Sequence, residues 1–225
     1  KNISIKNFYP NIDFLTKIFF QSAPISAALF MISIGNFIIL YYVSKFGEPA
    51  VAGYGSAARF EQILLLPVLG LNTAVISIVG QNFGAKEYLR VKQSYYQAIT
   101  YGTVLMFVAG LIIFFSADKI VSIFSNNADV INYGTIYLKI SALIFPAYPI
   151  YFISNGFFMA LKKASYAMNL NIIRNVLLPI PTIIFANFIG GSYKNFFWSY
   201  CLFNWIFVVL LLTFVSIYIK NKLNT

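Results

Sequence analysis

The sequence contains no histidine and a single cysteine in 225 residues. Without imidazole, a histidine-based zinc or haem site and a catalytic triad that uses histidine are excluded. Cys201 has no second cysteine for an internal disulfide. The few carboxylates do not pair at helical spacing, which argues against a membrane-embedded enzyme. We therefore expect no catalytic residues, no metal site, no cofactor and no enzymatic activity.

Charged residues are also scarce. Only 10% of positions are charged and 60% are hydrophobic, whereas a soluble domain is usually about half apolar and about a quarter charged. A water-facing surface cannot be built from so few charges. Much of this chain must therefore face lipid.

The net charge of +10 raises nucleic-acid binding as an alternative. The basic residues, however, fall in small groups between apolar runs and form no stripe with interleaved aromatics. That distribution is the one that membrane topology requires. We expect the many Phe and Tyr side chains to be lipid-facing or interfacial, and we expect no nucleic-acid partner.

Apolar segments long enough to cross a membrane recur along the chain. A spanning helix needs about 20 mostly apolar residues. Six such segments can be drawn, near residues 20–44, 50–82, 94–117, 131–161, 166–189 and 196–219. Their connections are short and contain turn and capping residues. We predict an all-α membrane protein in which residues 20–220 form a bundle of six transmembrane helices.

The two ends of the chain flank this bundle. In residues 1–19, apolar positions alternate with polar ones, a pattern typical of a short interfacial helix or of an ordinary loop. Residues 221–225 form a short tail. Because the chain begins with Lys1 and shows no signal peptide, we expect it to be part of a longer protein.

Basic residues predict the orientation. If the N-terminus lies inside, ten of them fall in cytoplasmic segments and three on the other side. The inner group is Lys1, Lys6, Lys17, Lys86, Arg90, Lys92, Lys162, Lys163, Lys220 and Lys222, and the outer group is Lys45, Lys119 and Lys194. The positive-inside rule then places both ends in the cytoplasm of a cell whose plasma (inner) membrane holds the protein.

Prolines recur inside the apolar runs. Each removes a backbone donor and bends or interrupts a helix, which membrane proteins tolerate beside neighbouring helices or a water-lined cavity. They are Pro24, Pro67, Pro146, Pro149, Pro179 and Pro181. This favours bent helices around a cavity, although proline is frequent in membrane helices in general.

Four charged residues lie within or near the apolar runs: Arg59, Glu61, Lys139 and Arg174. Arg59 and Lys139 either face a cavity or extend to the headgroups. Glu61 has a short side chain and lies about 18 Å along its predicted helix. It requires a partner on another helix, or water. We expect Lys139 to be the better cationic candidate, because Arg174 should lie too far away.

Amides form a second polar set in the apolar runs. Most of them are expected to bond between helices. They are Asn36, Asn72, Asn155, Asn169, Asn171, Asn175 and Asn204. Of these, we place Asn36 and Asn72 on the cavity, together with Glu61 and Lys139 as the candidate substrate or ion pathway.

Two stretches carry a family resemblance. Residues 51–92 resemble the eighth helix and following loop of the multidrug and toxic compound extrusion (MATE) family, and residues 156–181 resemble its tenth-to-eleventh helix junction. The first match comprises the AGYG start, Arg59, Glu61, Pro67, Gly70, Gly80, Gln81, Asn82, Phe83, Gly84, Ala85 and Lys86, and the second has Arg174 and Pro179 in register. The resemblance extends over essentially the whole chain.

The resemblance implies a transporter of twelve helices in two lobes, of which this chain is the C-terminal lobe and an N-terminal lobe the partner. Such proteins export organic cations and other amphipathic drugs against inward flow of Na⁺ or H⁺. Some Na⁺-coupled members have a carboxylate on the first helix of this lobe, where this sequence has Ile32. A cation site of that type is therefore not expected here, and coupling would depend on the other lobe or on Glu61.

Two other functions remain alternatives. A flippase of lipid-linked sugars or lipid precursors would have a related architecture, but the VGQNFGAK loop favours export. A purely structural membrane subunit is also compatible with the composition.

Overall fold

A computed structural model describes residues 12–223, which form nine α-helices and one π-helical turn. The helices are α1 (Ile12–Ser44), α2 (Glu48–Leu64), α3 (Leu66–Gly84), α4 (Tyr88–Ser122), α5 (Ala128–Ala142), α6 (Ala147–Ala160), α7 (Ala164–Ile172), α8 (Pro179–Phe188) and α9 (Tyr193–Lys222). The π-helical turn, Ile173–Leu177, joins α7 to α8.

The predicted apolar segments correspond to these helices, and three of the six are interrupted. The segments match α1, α2 with α3, α4, α5 with α6, α7 with α8, and α9. Over the described residues, four helical stretches are long and apolar enough to span a membrane, or five when α5 and α6 count as one bent span. Many large apolar side chains on the outside of the bundle are exposed, as lipid contact requires.

The expected segment boundaries at the two ends are not marked by breaks. Of the predicted interfacial segment, residues 1–11 lie outside the described residues, and residues 12–19 begin the continuous helix α1. At the other end, α9 continues to Lys222, and residues 224–225 lie outside the described residues.

Helix α6 is the central helix of the bundle. Eleven of its fourteen residues are buried, on all sides of the helix. A helix that is apolar all round belongs in a protein interior. It packs against α3, α4, α7 and α9, so these four helices surround it.

A 61° bend separates α5 from α6. Pro146 lacks a backbone N–H and cannot continue the hydrogen-bond ladder of α5. Around the bend, the carbonyl of Leu143 accepts a hydrogen bond of 3.1 Å from the indole Nε1 of Trp205 on α9. A side chain of another helix thus satisfies a carbonyl that has left the helical pattern.

The π-helical turn has a similar cause. In a regular α-helix the ring of Pro179 would clash with the carbonyl of Asn175. The helix instead forms a wider turn, in which Leu178 N–H donates to Ile173 O, five residues back, at 2.8 Å. Gly35 of α1 packs against this turn, since a Cβ atom there would collide with the Asn175 carbonyl. The fifth predicted span is therefore a helix with a wide turn in its middle.

Candidate functional site

Two glycines bring α2 and α5 close together. A Cβ atom at Gly53 would lie 2.6 Å from the carbonyl oxygen of Val130 and 2.7 Å from the amide nitrogen of Gly134. Small residues let helix backbones approach in this way. Glu61 follows Gly53 by two helical turns, on the same face of α2, and therefore meets the next turns of α5.

Glu61 is buried, with 7% of its surface exposed, and three hydroxyl groups donate to it. Tyr137 of α5 donates to Oε2 at 2.6 Å, and Ser141, one turn further along α5, donates to the same oxygen. Tyr148 of α6 donates to Oε1 at 2.5 Å. A carboxylate is a pure acceptor, so three donors suit it. The Glu61 network, defined by these four residues, links α2 to both helices of the bent span.

Beside the network lies a cavity of about 380 Å³. Its walls come from α1, α2, α5, α6, the π-helical turn and α9. The lining residues are Ile32, Asn36, Ile39, Leu40, Tyr54, Gly55, Ala58, Glu61, Gln62, Leu65, Tyr137, Tyr148, Phe152, Arg174, Asn175, Phe197 and Tyr200. The positions on α1 and on α2 recur at helical spacing, so each helix presents one face to the cavity. Its size is within the range of small-molecule sites.

Arg174 carries the positive charge of the cavity. Its guanidinium lies over three aromatic rings of α6, at 4.2 Å from the ring centre of Tyr151, 5.2 Å from that of Tyr148 and 5.9 Å from that of Phe152. The Tyr151 hydroxyl donates a hydrogen bond of 2.7 Å to Asn171 Oδ1. Cation–π contacts of this kind stabilise a desolvated cation without neutralising it.

The structure places the expected charges differently from the sequence prediction. Lys139 is exposed and does not line the cavity. It lies two positions from both Tyr137 and Ser141, and so on another side of α5. The predicted Glu61–Lys139 pair is therefore wrong. Arg174 was expected to lie too far away, yet it lines the same cavity as Glu61. It lies ten residues after the start of α7, which is about 15 Å along the helix at about 1.5 Å per residue.

Of the two amides predicted for the cavity, one lines it and the other does not. Asn36 lines the cavity on α1, one turn after Ile32, which is also in the wall. Asn72 does not line it and packs against Gly156 instead, where a Cβ atom would collide with the Asn72 side chain. Its Oδ1 is buried without a hydrogen-bond partner. Asn72 thus lies between α3 and α6, because only glycine on α6 leaves room for it.

The remaining motif residues shape the helices around the cavity. Arg59 is exposed, and Pro67 begins α3 after the interruption at Leu65. Pro179 begins α8 in the same way. These positions explain why prolines recur there, since the first turn of a helix tolerates a missing N–H.

The motif from Gly80 to Lys86 forms the end of α3. Lys86 has φ 63° and donates its N–H to Phe83 O at 3.1 Å, while Glu87 N–H donates to Asn82 O at 2.9 Å. This is the Schellman geometry that closes a helix. Gly80, Gln81, Asn82 and Gly84 all lie in the last turns of α3.

Sequence reasoning missed the hydroxyl partners of Glu61 and the aromatic support of Arg174. Tyr137 and Ser141 are four positions apart on one helix face, and Tyr148, Tyr151 and Phe152 share a face of α6. Those spacings were visible in the sequence. Which helix each face would meet was not, because the 61° bend decides it.

Comparison with known proteins identifies the family. A family model described as MatE matches residues 24–185. This chain belongs to the MatE family. The probable multidrug resistance protein YpnP of Bacillus subtilis is 27% identical over 185 residues, which are 79% of this chain and 42% of that protein. The FAD transporter of Shewanella oneidensis is 24% identical over 158 residues, 70% of this chain and 35% of that protein.

The fold agrees with this membership. A MOP superfamily transporter from Pyrococcus furiosus superposes with a TM-score of 0.87 at 20% identity, covering 100% of this chain and 50% of that one. The chain therefore has the fold of one half of a MATE transporter and is an integral membrane protein. It spans less than half the length of the two relatives named above. MatE relatives are transporters, which points away from an enzyme.

Proposed function

We propose that this chain is the C-terminal lobe of a secondary active transporter that exports drugs or other amphipathic organic compounds in exchange for Na⁺ or H⁺. The cavity carries this proposal. It combines aromatic walls with a few polar groups and two opposite charges, Glu61 and Arg174, in the interior of a lipid-facing bundle. Such a lining suits an amphipathic guest, whose apolar body and polar group both find partners.

In this proposal the N-terminal lobe supplies the opposite wall of the substrate path. Transporters built from repeats bind substrate at the repeat interface and expose it to each side in turn. A single lobe would then bind without concentrating its substrate. The flippase alternative is not favoured, because the relatives named above are a multidrug resistance protein and an FAD transporter.

Glu61 has two candidate roles in this transporter. It is either a structural acceptor that holds α2 against α5 and α6, or a group that takes part in ion coupling. We favour the structural role, because both of its oxygens already accept from neighbouring helices. Coupling would then depend chiefly on groups of the other lobe.

The complete transporter, reconstituted in liposomes with an imposed Na⁺ or H⁺ gradient, tests the function. We expect uptake of an amphipathic dye against its concentration gradient when the ion gradient is present, and none when an ionophore collapses it. The same assay on the chain by itself should match empty liposomes. Gradient-independent equilibration by the complete protein would contradict the exchange mechanism, and concentrative uptake by a monomer of this lobe would contradict the two-lobe path.

We also propose that both ends face the cytoplasm of a plasma (inner) membrane. The ten-to-three distribution of basic residues supports this orientation. Reporter cysteines at Ser4 and Asn224, in a Cys201→Ser background, should be shielded from an impermeant thiol reagent in intact cells. Labelling of both from outside would reverse the proposed topology.

A further inference from the structure

The two charges of the cavity differ in how the fold compensates them. The carboxylate of Glu61 already accepts from three hydroxyls that belong to α5 and α6. Two of these donors share Oε2 and the third occupies Oε1. Charge-assisted hydrogen bonds of this kind are the strong ones. The negative charge is therefore satisfied by the protein itself.

The positive charge is compensated in another way. Within residues 12–223, no carboxylate lies within ion-pair distance of Arg174, whose guanidinium lies over the rings of Tyr148, Tyr151 and Phe152 and also interacts with the Tyr151 hydroxyl. Stacking covers the flat face of a guanidinium, whereas its five N–H donors lie in the plane and point outward at the edge. Arg174 is half-buried and lines the cavity. Glu61 attracts this charge across the cavity, but the two side chains form no direct ion pair.

Amide groups of the cavity wall also suit an anion. Asn175 adjoins Arg174 in the π-helical turn, and Asn36 and Gln62 line the cavity with amide groups that can donate. A guanidinium binds a carboxylate or a phosphate through two parallel N–H···O bonds. The apolar part of such a molecule would lie against Tyr54 and Phe197, which stack with ring centres 5.9 Å apart.

We infer that the cavity selects amphipathic substrates that carry a carboxylate or phosphate group, which Arg174 holds. Organic cations are disfavoured at this position, because Glu61, the carboxylate that the described residues contribute to the cavity wall, already accepts three hydrogen bonds. This inference rests on the proposed export function, because it names the class of compound that the exporter binds in this lobe.

Two dyes with one xanthene ring system and opposite charge provide the test. Carboxyfluorescein is an anion and tetramethylrhodamine methyl ester is a cation, and fluorescence anisotropy measures binding of either dye to the complete transporter in detergent. We expect Arg174→Gln to weaken carboxyfluorescein binding by about tenfold or more, as the loss of a charge-assisted pair implies. Arg174→Lys should retain part of the affinity, because it keeps the charge but loses the bidentate geometry. Binding of the cation should not fall.

Control variants separate this effect from a general loss of charge or fold. Arg59→Gln removes an exposed arginine outside the cavity and should leave both affinities unchanged. Gly55→Leu fills the cavity, since a Cβ atom there meets no atom within 4 Å, and should weaken carboxyfluorescein binding by about fivefold or more without unfolding. Gly55→Leu thus tests the site even if Arg174→Gln proves unstable.

Equal loss of both dyes in Arg174→Gln, or unchanged carboxyfluorescein binding in Gly55→Leu, would overturn the inference. So would a wild-type transporter that does not bind carboxyfluorescein. Gradient-driven uptake of the two dyes, measured in parallel, reports on the proposed function separately. Ion-dependent export of the cation, with no export of carboxyfluorescein by the wild-type transporter, would reject the anion site and leave the export function standing.

Discussion

Gly35 of α1 lies directly against the backbone carbonyl of Asn175 in the π-helical turn. The contact lets α1 approach the turn that carries Arg174, and both helices contribute to the cavity wall. No side chain fits between the two backbones. The close approach of α1 therefore depends on this glycine.

Replacing Gly35 by alanine should destabilise the lobe. The added methyl group would force the two backbones apart, and overpacking of this kind costs about 1–3 kcal/mol. Thermal unfolding in detergent should show a lower Tm. Gly70→Ala is the matched control, because nothing lies within 4 Å of its Cβ position, and it should leave the Tm unchanged or raise it, as alanine favours helix over glycine by about 1 kcal/mol. Equal Tm values for the two variants would contradict the contact.

A second prediction concerns the Glu61 network. Glu61→Gln replaces one acceptor oxygen by an NH₂ group, which cannot accept from the hydroxyl donors that face it. Tyr148→Phe removes one of those three donors. Each should lower the stability by about 1.5–3 kcal/mol, since hydrogen bonds to a charged group are lost. Lys139→Gln should change it by less than about 0.5 kcal/mol, because Lys139 is exposed and outside the network.

Thermal unfolding and gradient-driven export of the complete transporter, measured on the same variants, distinguish the two roles of Glu61. A structural role predicts that stability falls in Glu61→Gln and that the effects of Glu61→Gln and Tyr148→Phe are less than additive. Normal stability with lost ion dependence in Glu61→Gln would instead assign it to coupling. A Glu61→Gln, Lys139→Gln double variant more stable than either single one would restore the rejected pair.

A third prediction concerns the hydrogen bond from Trp205 to the Leu143 carbonyl, at the bend of the fourth span. Trp205→Phe keeps an aromatic ring but removes the N–H, leaving a carbonyl without its donor at a cost of about 1–3 kcal/mol. We expect a lower Tm. Trp198→Phe, at an exposed tryptophan of the same helix, should have little effect. A Tm that falls equally in both variants would show that ring size, and not the hydrogen bond, is what matters.

A fourth prediction concerns Lys162, which follows the end of α6 and has a left-handed backbone conformation with φ 59°. Its N–H donates to Met159 O and that of Lys163 to Phe158 O, as at the end of α3. A side chain is strained in this conformation by about 1–2 kcal/mol, which glycine avoids. Lys162→Gly should therefore raise the Tm. Lys163→Gly removes the same charge at a position with φ −104° and should bring no gain.

Much of the architecture follows from the sequence. The scarcity of charge and the length of the apolar runs determine a helical membrane bundle, because only helices can bury their backbone in lipid without an external partner. Prolines at positions such as Pro67, Pro146 and Pro179 indicate where helices are interrupted, since each lacks an N–H wherever it occurs. The motif around Gly80 to Lys86 indicates the family, which the match to residues 24–185 confirms.

The candidate site depends on relations that the sequence does not contain. Glu61 was recognised as a buried acid, but its partners are three hydroxyls on helices 76 to 87 residues away. Which face of α5 meets α2 is decided by the contact of Gly53 with Gly134, and which face of α6 meets Arg174 by the bend and the π-helical turn. The sequence by itself determined that charges lie in the membrane; only the tertiary structure decided which of them meet, because helix direction after a break is fixed by packing rather than by local preference.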